Sequence, residues 1–264
     1  MNKNINGSDL TFEQDNLITF DEATHTYSVG GKELTPVSNV VSQFFTPFDA
    51  ERISIRKCHG DKEAARILRE EWAATGQIAS QAGTFLHKQI EDYICQGIKP
   101  ATFECIISYE GESLSRSETV DISTEWQYFL NFARDVEFTP FRTEWKIFDK
   151  DAQIAGTIEL LCICPDGTYE IYDWKRSKKV DPDEINRFSS GINGLEHLTD
   201  TSYFHYCLQQ NLYRYILETN YGIKISAMHL VVLHPDKTDY EVVEIERMDS
   251  EVNTILKYTN SLKQ

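Results

Sequence analysis

The spacing of hydrophobic and polar residues changes several times along the chain, which predicts a mixture of helices and strands. Apolar residues at helical spacing predict helices at 36–41, 49–75, 80–96, 124–135 and 202–219, and a last amphipathic helix at the end of the chain. Because glycine ends helices, Gly76 and Gly97 are expected to terminate the second and third of these.

Alternating or continuous apolar runs predict the strands. They predict a hairpin over 17–34 that turns at Gly30-Gly31, and strands at 103–107, 142–148, 153–164, 168–175, 225–233 and 240–247. The polar, glycine-containing stretch 180–202 predicts a long functional loop.

This order of elements predicts an α/β protein with a central mixed sheet flanked by helices. No linker or internal repeat interrupts it, so we expect residues 1–264 to form a single domain. Its expected parts are an N-terminal hairpin with helices (1–79), a core (80–220), and a C-terminal strand pair with a helix (221–264).

Composition excludes some classes. The 41% hydrophobic and 26% charged residues are ordinary for a globular protein and exclude disorder as the main state. The sequence has neither a long apolar run nor a secretory signal, which predicts a cytoplasmic protein without a membrane partner. The 6 cysteines form no C-x-x-C pair and are expected to be reduced and structural.

The net charge argues mildly against a nucleic-acid partner. With 26 basic and 42 acidic residues the formal charge is −16, and such a field repels polyanions. Binding DNA would require a local basic patch or bound metal cations. Arg176, Lys178 and Lys179 form one compact basic cluster that is suited to phosphates, although charged strand ends are usually just solvated.

Candidate chemistry lies on the hairpin formed by the strands 153–164 and 168–175. A three-residue loop centred on Asp166 would place Glu159 opposite Asp173, with Cβ atoms roughly 4.5–5.5 Å apart. Lys175 then shares the face of Asp173, because side chains two apart in a strand point the same way. A two-residue loop would instead place Glu159 opposite Trp174 and put the two acids on opposite faces.

Two facing carboxylates are unfavourable unless a cation lies between them. Mg²⁺ or Mn²⁺ suits such a site, because hard cations prefer oxygen ligands. Acids on strands usually face water, but Glu159 stands in an apolar run, where an unpaired carboxylate is costly.

The sequence resembles the PD-(D/E)XK nucleases, in the RecB-like branch that includes phage-type exonucleases. The family pattern is a glycine shortly before an acid, then D-x-K, matched by 156–159 and 173–175. The branch also has an upstream G-x-x-x-H helix and a downstream Q-x-x-x-Y helix, matched by 83–87 and 209–213. The resemblance implies a restriction-endonuclease-like core over about residues 80–220.

The resemblance also implies roles for individual residues. The metal, Mg²⁺ or Mn²⁺, would be held by His87, Glu159, Asp173 and the backbone carbonyl of Trp174. Lys175 would act with the two acids in catalysis, by orienting water and neutralising charge on the phosphate. By the same resemblance Gln209 and Tyr213 would hold the DNA backbone or support the site, and the basic cluster adds Arg176 and Lys178 as phosphate contacts.

Structural alternatives stay open for the helix residues. His87 lies four residues before Glu91. Its alternative role is that of a partly buried histidine that is hydrogen-bonded to Glu91. Tyr213 has the alternative of a core residue, and Glu144 is a weaker acidic candidate. The aromatic residues Trp126 and Trp145 suit either base stacking or the core, with the core favoured.

The sequence departs from the family in three ways. Glu159 stands where relatives usually have Asp, and Arg176 follows the lysine where Thr is common. The four-cysteine pattern of some relatives is absent, so no iron–sulfur cluster is expected.

The leading hypothesis is a Mg²⁺- or Mn²⁺-dependent deoxyribonuclease, an exonuclease that acts on DNA ends in recombination, repair or phage replication. The alternatives are a catalytically inactive nucleic-acid-binding or assembly protein on the same scaffold, and a metal enzyme acting on RNA or another phosphoester. The sequence leaves open the choice between exonuclease and endonuclease, the polarity, and whether the protein forms a homo-oligomer.

Overall fold

The computed structural model describes residues 4–178 and 180–262. It divides into two compact units. The first comprises Met1–Thr46, Val136–Val232 and Glu241–Gln264, and the second comprises Pro47–Asp135 and Leu233–Tyr240. The expected organisation of 1–264 as a single domain stays a prediction.

The first unit holds the larger sheet. It contains β1 (Ile18–Asp21), β2 (Thr26–Val29), β3 (Lys32–Pro36) and α1 (Val37–Ser42). The second unit follows in the chain, with α2 (Ala50–Lys57), α3 (Lys62–Gln96), β4 (Glu104–Glu110), β5 (Ser115–Asp121) and α4 (Ser123–Asp135). The first unit then resumes with β6 (Pro140–Asp149), β7 (Ile154–Ile163), β8 (Tyr169–Lys175), α5 (Ser202–Asn220), β9 (Ile225–Val232), β10 (Glu241–Glu244) and α6 (Asp249–Ser261).

The eight strands of the first unit form one mixed sheet. Its order is β1-β2-β3-β7-β8-β9-β10, and β6 pairs with the other edge of β7. The pairs β3–β7 and β8–β9 are parallel and the others are antiparallel. Helices α1, α5 and α6 contribute apolar residues to the same core cluster as the sheet. The predicted α/β class, with a mixed central sheet flanked by helices, is confirmed.

Two strands, β3 and β8, pair with different parts of the same edge of β7. Ile154 and Ala155 pair with β3, whereas Leu160–Ile163 pair with β8 on the same edge. Strand β6 covers the opposite edge along this whole length. The residues between, Gly156–Glu159, pair with neither β3 nor β8, and we call this stretch the fork.

The turn between β7 and β8 is the three-residue loop that the sequence favoured. Gly167 has a left-handed φ of +82° and donates its N–H to the Cys164 carbonyl at 3.0 Å. The register pairs Leu160 with Tyr172, and its next step brings Glu159 opposite Asp173. The alternative register, with Glu159 opposite Trp174, is therefore wrong.

The expected turn at Gly30-Gly31 is confirmed, but the stretch 17–34 forms three strands, β1–β3, rather than one two-stranded hairpin. We keep the name N-terminal hairpin for β2 and β3. Gly30 and Gly31 both have positive φ, +58° and +78°, which is the backbone of a tight two-residue turn. The following helix α1 begins one residue later than expected, with Pro36 as its N-cap.

Three expectations for the second unit are wrong. The predicted helix 49–75 is interrupted between Lys57, where α2 ends, and Lys62, where α3 begins, because the Asp61 side chain accepts the N–H groups of Glu63 and Ala64 and so caps a new helix. Helix α3 runs without a break through Gly76, because Ala74, Ile78 and Ala82 are buried on one face and their packing outweighs the ~1 kcal/mol propensity cost of glycine. Its end at Gly97, in left-handed geometry, is confirmed. The sequence signal at 103–107 marks β4, but its partner β5 was missed, since β5 is mostly exposed and polar.

The remaining predicted elements are confirmed to within a few residues. These are the helices at 123–135 and 202–220, the strands at 140–149, 154–163, 169–175, 225–232 and 241–244, and the helix at 249–261. The stretch 176–201 contains neither helix nor strand among its described residues. None of the 6 cysteines, which all lie in the described ranges, forms a disulfide. Both Trp126 and Trp145 are buried, which favours the core alternative for them. No helix in the described ranges combines the length and apolarity needed to cross a bilayer.

Candidate functional site

Three side chains meet where the β7–β8 ladder ends, and we call Glu159, Asp173 and Lys175 the acid–amine cluster. An Asp173 Oδ2–Lys175 Nζ ion pair joins the two β8 residues, which share one face of the strand. Glu159 reaches across from β7, and its Oε2 accepts a hydrogen bond from the Trp174 N–H at 2.6 Å. The carboxylate therefore takes the place of a backbone partner where the two strands separate.

Asp173 is held by a residue that the sequence motifs did not identify. Its side chain is almost fully buried, and its Oδ1 accepts a hydrogen bond from Gln210 Nε2 at 2.9 Å. Gln210 lies on α5 and is itself fully buried. No sequence signal distinguishes Gln210, because α5 also buries the polar residues Asn211 and Arg214.

Glu159 lies in an acidic row across three strands. Glu144 of β6 stands opposite it in the register, between the pairs Thr143–Leu160 and Trp145–Ile158. Burial raises the pKa of Glu159 well above its usual range, and the negative charges of Asp173 and Glu144 raise it further. The cluster thus carries unfavourable negative charge that a cation would relieve.

Lys175 is the cation that the fold itself supplies. Burial alone would lower its pKa, but the carboxylates of Asp173 and Glu159 outweigh that effect and raise the pKa. Its ammonium also lies 4.4 Å from the centre of the Tyr206 ring of α5. The amine is therefore charged and fixed beside both acids.

The G-x-x-E and Q-x-x-x-Y motifs contact each other. Tyr213 packs on Gly156 so closely that a Cβ on the glycine would lie 2.2 Å from Tyr213 Cε1. The Tyr213 hydroxyl accepts a hydrogen bond from Gln209 Nε2 at 3.0 Å. Burial raises the pKa of Tyr213 well above its usual value, so the phenol stays protonated beside the acids. A small residue at 156 is thus required by the approach of helix α5.

The N-terminal hairpin also reaches the fork. The Tyr27 hydroxyl of β2 and Thr157 Oγ1 of β7 lie 2.8 Å apart in a hydrogen bond. The fork is therefore bordered by β3 and β8 at its ends, by Tyr27 of the hairpin, and by α5 through Tyr213.

The other predicted site residues lie on α3 and directly after β8. His87 is half-buried on α3 in the second unit, so its role as a ligand stays a prediction. Its neighbour Lys88 forms ion pairs with Glu91 and Asp92. In the first unit, the basic residues at the end of β8 are Arg176, half-buried, and Lys178, exposed, whereas Lys179 lies outside the described residues.

The cluster offers some of the oxygen ligands that a divalent cation needs, but not a full coordination shell. Glu159 and Asp173 offer carboxylate oxygens on adjacent strands, and Asp173 Oδ2 is a buried atom whose partner is the Lys175 ammonium. Across residues 4–178 and 180–262, however, no three His, Cys, Asp or Glu side chains converge closely enough to hold a metal ion. Water and backbone oxygens would have to complete the coordination, as Mg²⁺ commonly requires.

Comparisons with known proteins do not identify the chain. It matches no family model and no curated protein. One solved structure that it resembles is the crystal structure of SSO0001, with 13% sequence identity and a TM-score of 0.37 over 90% of this chain and 79% of that one. At that TM-score the likeness establishes neither a shared fold nor a shared function.

Proposed function

We propose that this protein is a Mg²⁺- or Mn²⁺-dependent deoxyribonuclease with a PD-(D/E)XK core, acting as an exonuclease on DNA ends. The observation that carries the proposal is the acid–amine cluster at the fork, where Glu159, Asp173 and Lys175 lie on two adjacent strands. Two acids that hold a metal ion and an amine that neutralises the phosphate are one set of side chains suited to phosphodiester hydrolysis.

The pairing geometry supports the proposal independently of the motif. A ligand in α/β sheets commonly binds where neighbouring strands diverge, and the fork is such a place. The G-x-x-E residues coincide with the fork, and the Q-x-x-x-Y helix packs against it through Tyr213. Of the four motifs in the sequence, G-x-x-E, D-x-K and Q-x-x-x-Y therefore lie together in the first unit.

Each residue of the cluster has a proposed role. Glu159 and Asp173 would hold the cation, which when bound supplies a water of lowered pKa and stabilises charge on the phosphate. Lys175 would orient the attacking water and neutralise the phosphate through its fixed ammonium. Gln210 keeps Asp173 aimed at the cation by its hydrogen bond.

One observation favours a second candidate, a catalytically inactive nucleic-acid-binding protein on this scaffold. The acids already have partners within the fold, since Gln210 and Lys175 contact Asp173 and the Trp174 N–H contacts Glu159. Acids that have partners within the fold do not require a metal to hold them in place. Cleavage by the purified protein separates the two candidates.

The experiment is degradation of linear DNA by the purified protein with Mg²⁺ or Mn²⁺. We expect Asp173→Ala and Lys175→Ala each to lower the rate by roughly 10²-fold or more, because each removes a group that acts on the reacting phosphate. Exonuclease action predicts that covalently closed circular DNA survives while linear DNA is lost.

Two matched variants serve as controls. Glu170→Gln removes an acid from β8 on the face opposite Asp173, and Lys32→Ala removes an exposed strand lysine. Both should keep wild-type activity. Equal degradation by wild type and by the cluster variants would refute the proposal, and DNA binding without cleavage would favour the inactive scaffold.

A further inference from the structure

The loop between β8 and α5 contains a cavity that the proposed chemistry does not use. Its volume is about 410 Å³, within the range of small-molecule sites. Residues Glu184–Phe188 line one side, and Asp200–Ser202, at the start of α5, line the other.

Two large apolar side chains at this cavity are exposed. Phe188 has 99% of its surface exposed and Ile185 has 71%. Between them lies Arg187, also exposed, which forms no ion pair with a described residue. One exposed apolar residue needs no explanation, but an aromatic, an aliphatic and a guanidinium at one cavity are characteristic of a binding surface.

The segment that presents Phe188 is held by hydrogen bonds. Asn186 donates its side-chain N–H to the Asp200 carbonyl at 2.9 Å, and its backbone N–H to Thr199 Oγ1 at 2.7 Å. Asn186 Oδ1 in turn accepts the Phe188 N–H at 3.0 Å. The backbone at Phe188 is therefore fixed by a turn, which lowers the backbone entropy lost when a ligand binds there.

Helix α5 links the cavity to the acid–amine cluster. Ser202 lines the cavity, Tyr206 contacts Lys175, and Gln210 binds Asp173. These residues are four apart, so they lie on one face of the helix at intervals of roughly 6 Å. The cavity is thus about one helical turn beyond the point where the helix contacts Lys175.

The acidic residues that line the cavity favour a nucleic-acid base over a phosphate. Glu184 and Asp200 disfavour a phosphate inside the cavity, and the Asp200 carboxylate is held by His205 and Ser189. A neutral base with N–H donors suits this lining, and the adjacent Arg187 suits the phosphate outside it.

We propose that this cavity receives a base of single-stranded DNA, which stacks on the Phe188 ring while Arg187 contacts the neighbouring phosphate. The inference rests on the proposed nuclease function and extends it by placing the strand next to the cleaved bond. Stacking on an aromatic ring accepts every base, so the site would bind single strands without strong sequence preference.

The test measures binding of fluorescent oligothymidylate by anisotropy in EDTA, so that no cleavage occurs. We expect Phe188→Ala to weaken binding about tenfold, the effect of losing one stacked base. Phe188→Trp should retain the affinity, because indole also stacks. Phe48→Ala removes another exposed phenylalanine, 67% exposed and in the second unit, and should leave the affinity unchanged.

An oligonucleotide of abasic sites makes the test specific. Wild type should bind it about tenfold more weakly than oligothymidylate, whereas Phe188→Ala should show no such difference. Equal affinities of wild type and Phe188→Ala for oligothymidylate, or the absence of wild-type binding, would overturn the inference. If base-dependent binding is present but Mg²⁺ and Mn²⁺ give no cleavage, the proposed function fails and this inference stands.

Discussion

At the scale of single residues, the central feature is a charge imbalance that the fold leaves in place. Glu159 is flanked by Asp173 and Glu144, and only Lys175 offsets them within the cluster. Groups arranged in this way are characteristic of functional sites rather than of cores, because they lower stability. The consequence is measurable in the pH dependence of folding.

We predict that Glu159→Gln stabilises the protein at neutral and alkaline pH. The folded-state pKa of Glu159 lies above its usual value of 4.5, so the native state binds its proton more tightly than the unfolded state. Its contribution to stability is therefore complete below the unfolded pKa and is lost as pH rises through the folded pKa. The variant should be more stable than wild type by about 1 kcal/mol or more at pH ~8, and nearly equal at pH ~4.

Urea denaturation of both proteins across this pH range measures the difference. Glu33→Gln, at an exposed position of β3, controls for the loss of one acidic side chain. A wild type that is more stable than Glu159→Gln at alkaline pH would contradict the assigned direction.

At the scale of elements, strand β7 and helix α5 fit each other at one glycine. The missing side chain at Gly156 lets Tyr213 lie against the strand, and Tyr213 in turn binds Gln209. The glycine of the motif is therefore explained by packing. It makes room for the helix that brings Gln210 to Asp173.

We predict that Gly156→Ala lowers the free energy of unfolding by about 1–3 kcal/mol, because the new methyl group overlaps the Tyr213 ring. Gly76→Ala is the matched control, since nothing lies within 4 Å of its added Cβ and its position is helical. That control should gain about 0.4–1 kcal/mol. Chemical denaturation measures both, and equal stability of Gly156→Ala and wild type would show that the contact is not tight.

The elements of the first unit were predictable because local signals agree with the final packing. Gly167 and its neighbours fix the β7–β8 loop, and this loop fixes the register that brings Glu159 opposite Asp173. The local sequence signals failed where tertiary contacts determine the extent of an element or the partners of a side chain. Gly76 was expected to end a helix that buried alanines continue, and the partners Gln210 and Tyr206 depend on helix orientation, which the spacing of motifs does not give.

At the scale of the whole molecule, the formal charge of −16 opposes the proposed substrate. DNA is a polyanion, so long-range repulsion slows its approach even where local contacts are favourable. A basic DNA-binding protein associates more slowly as salt is added, and this protein should behave in the opposite way.

We predict that the association rate constant for an oligonucleotide rises severalfold between about 10 and 150 mM NaCl, because screening shortens the range of repulsion from ~30 Å to ~8 Å. Stopped-flow fluorescence in EDTA measures it. A rate constant that falls with salt would show that a basic patch dominates the encounter, in spite of the net charge.

The fork is an opening in the sheet whose limits are the ends of two strands. On one side β8 stops pairing with β7 after Tyr172, and on the other β3 ends at Pro36, because helix α1 begins at Val37. The start of helix α1, more than a hundred positions before Glu159 in the sequence, thus leaves this edge of β7 without a partner strand next to Glu159. The length of the opening therefore depends on where β3 of the N-terminal hairpin ends as much as on the residues that line it.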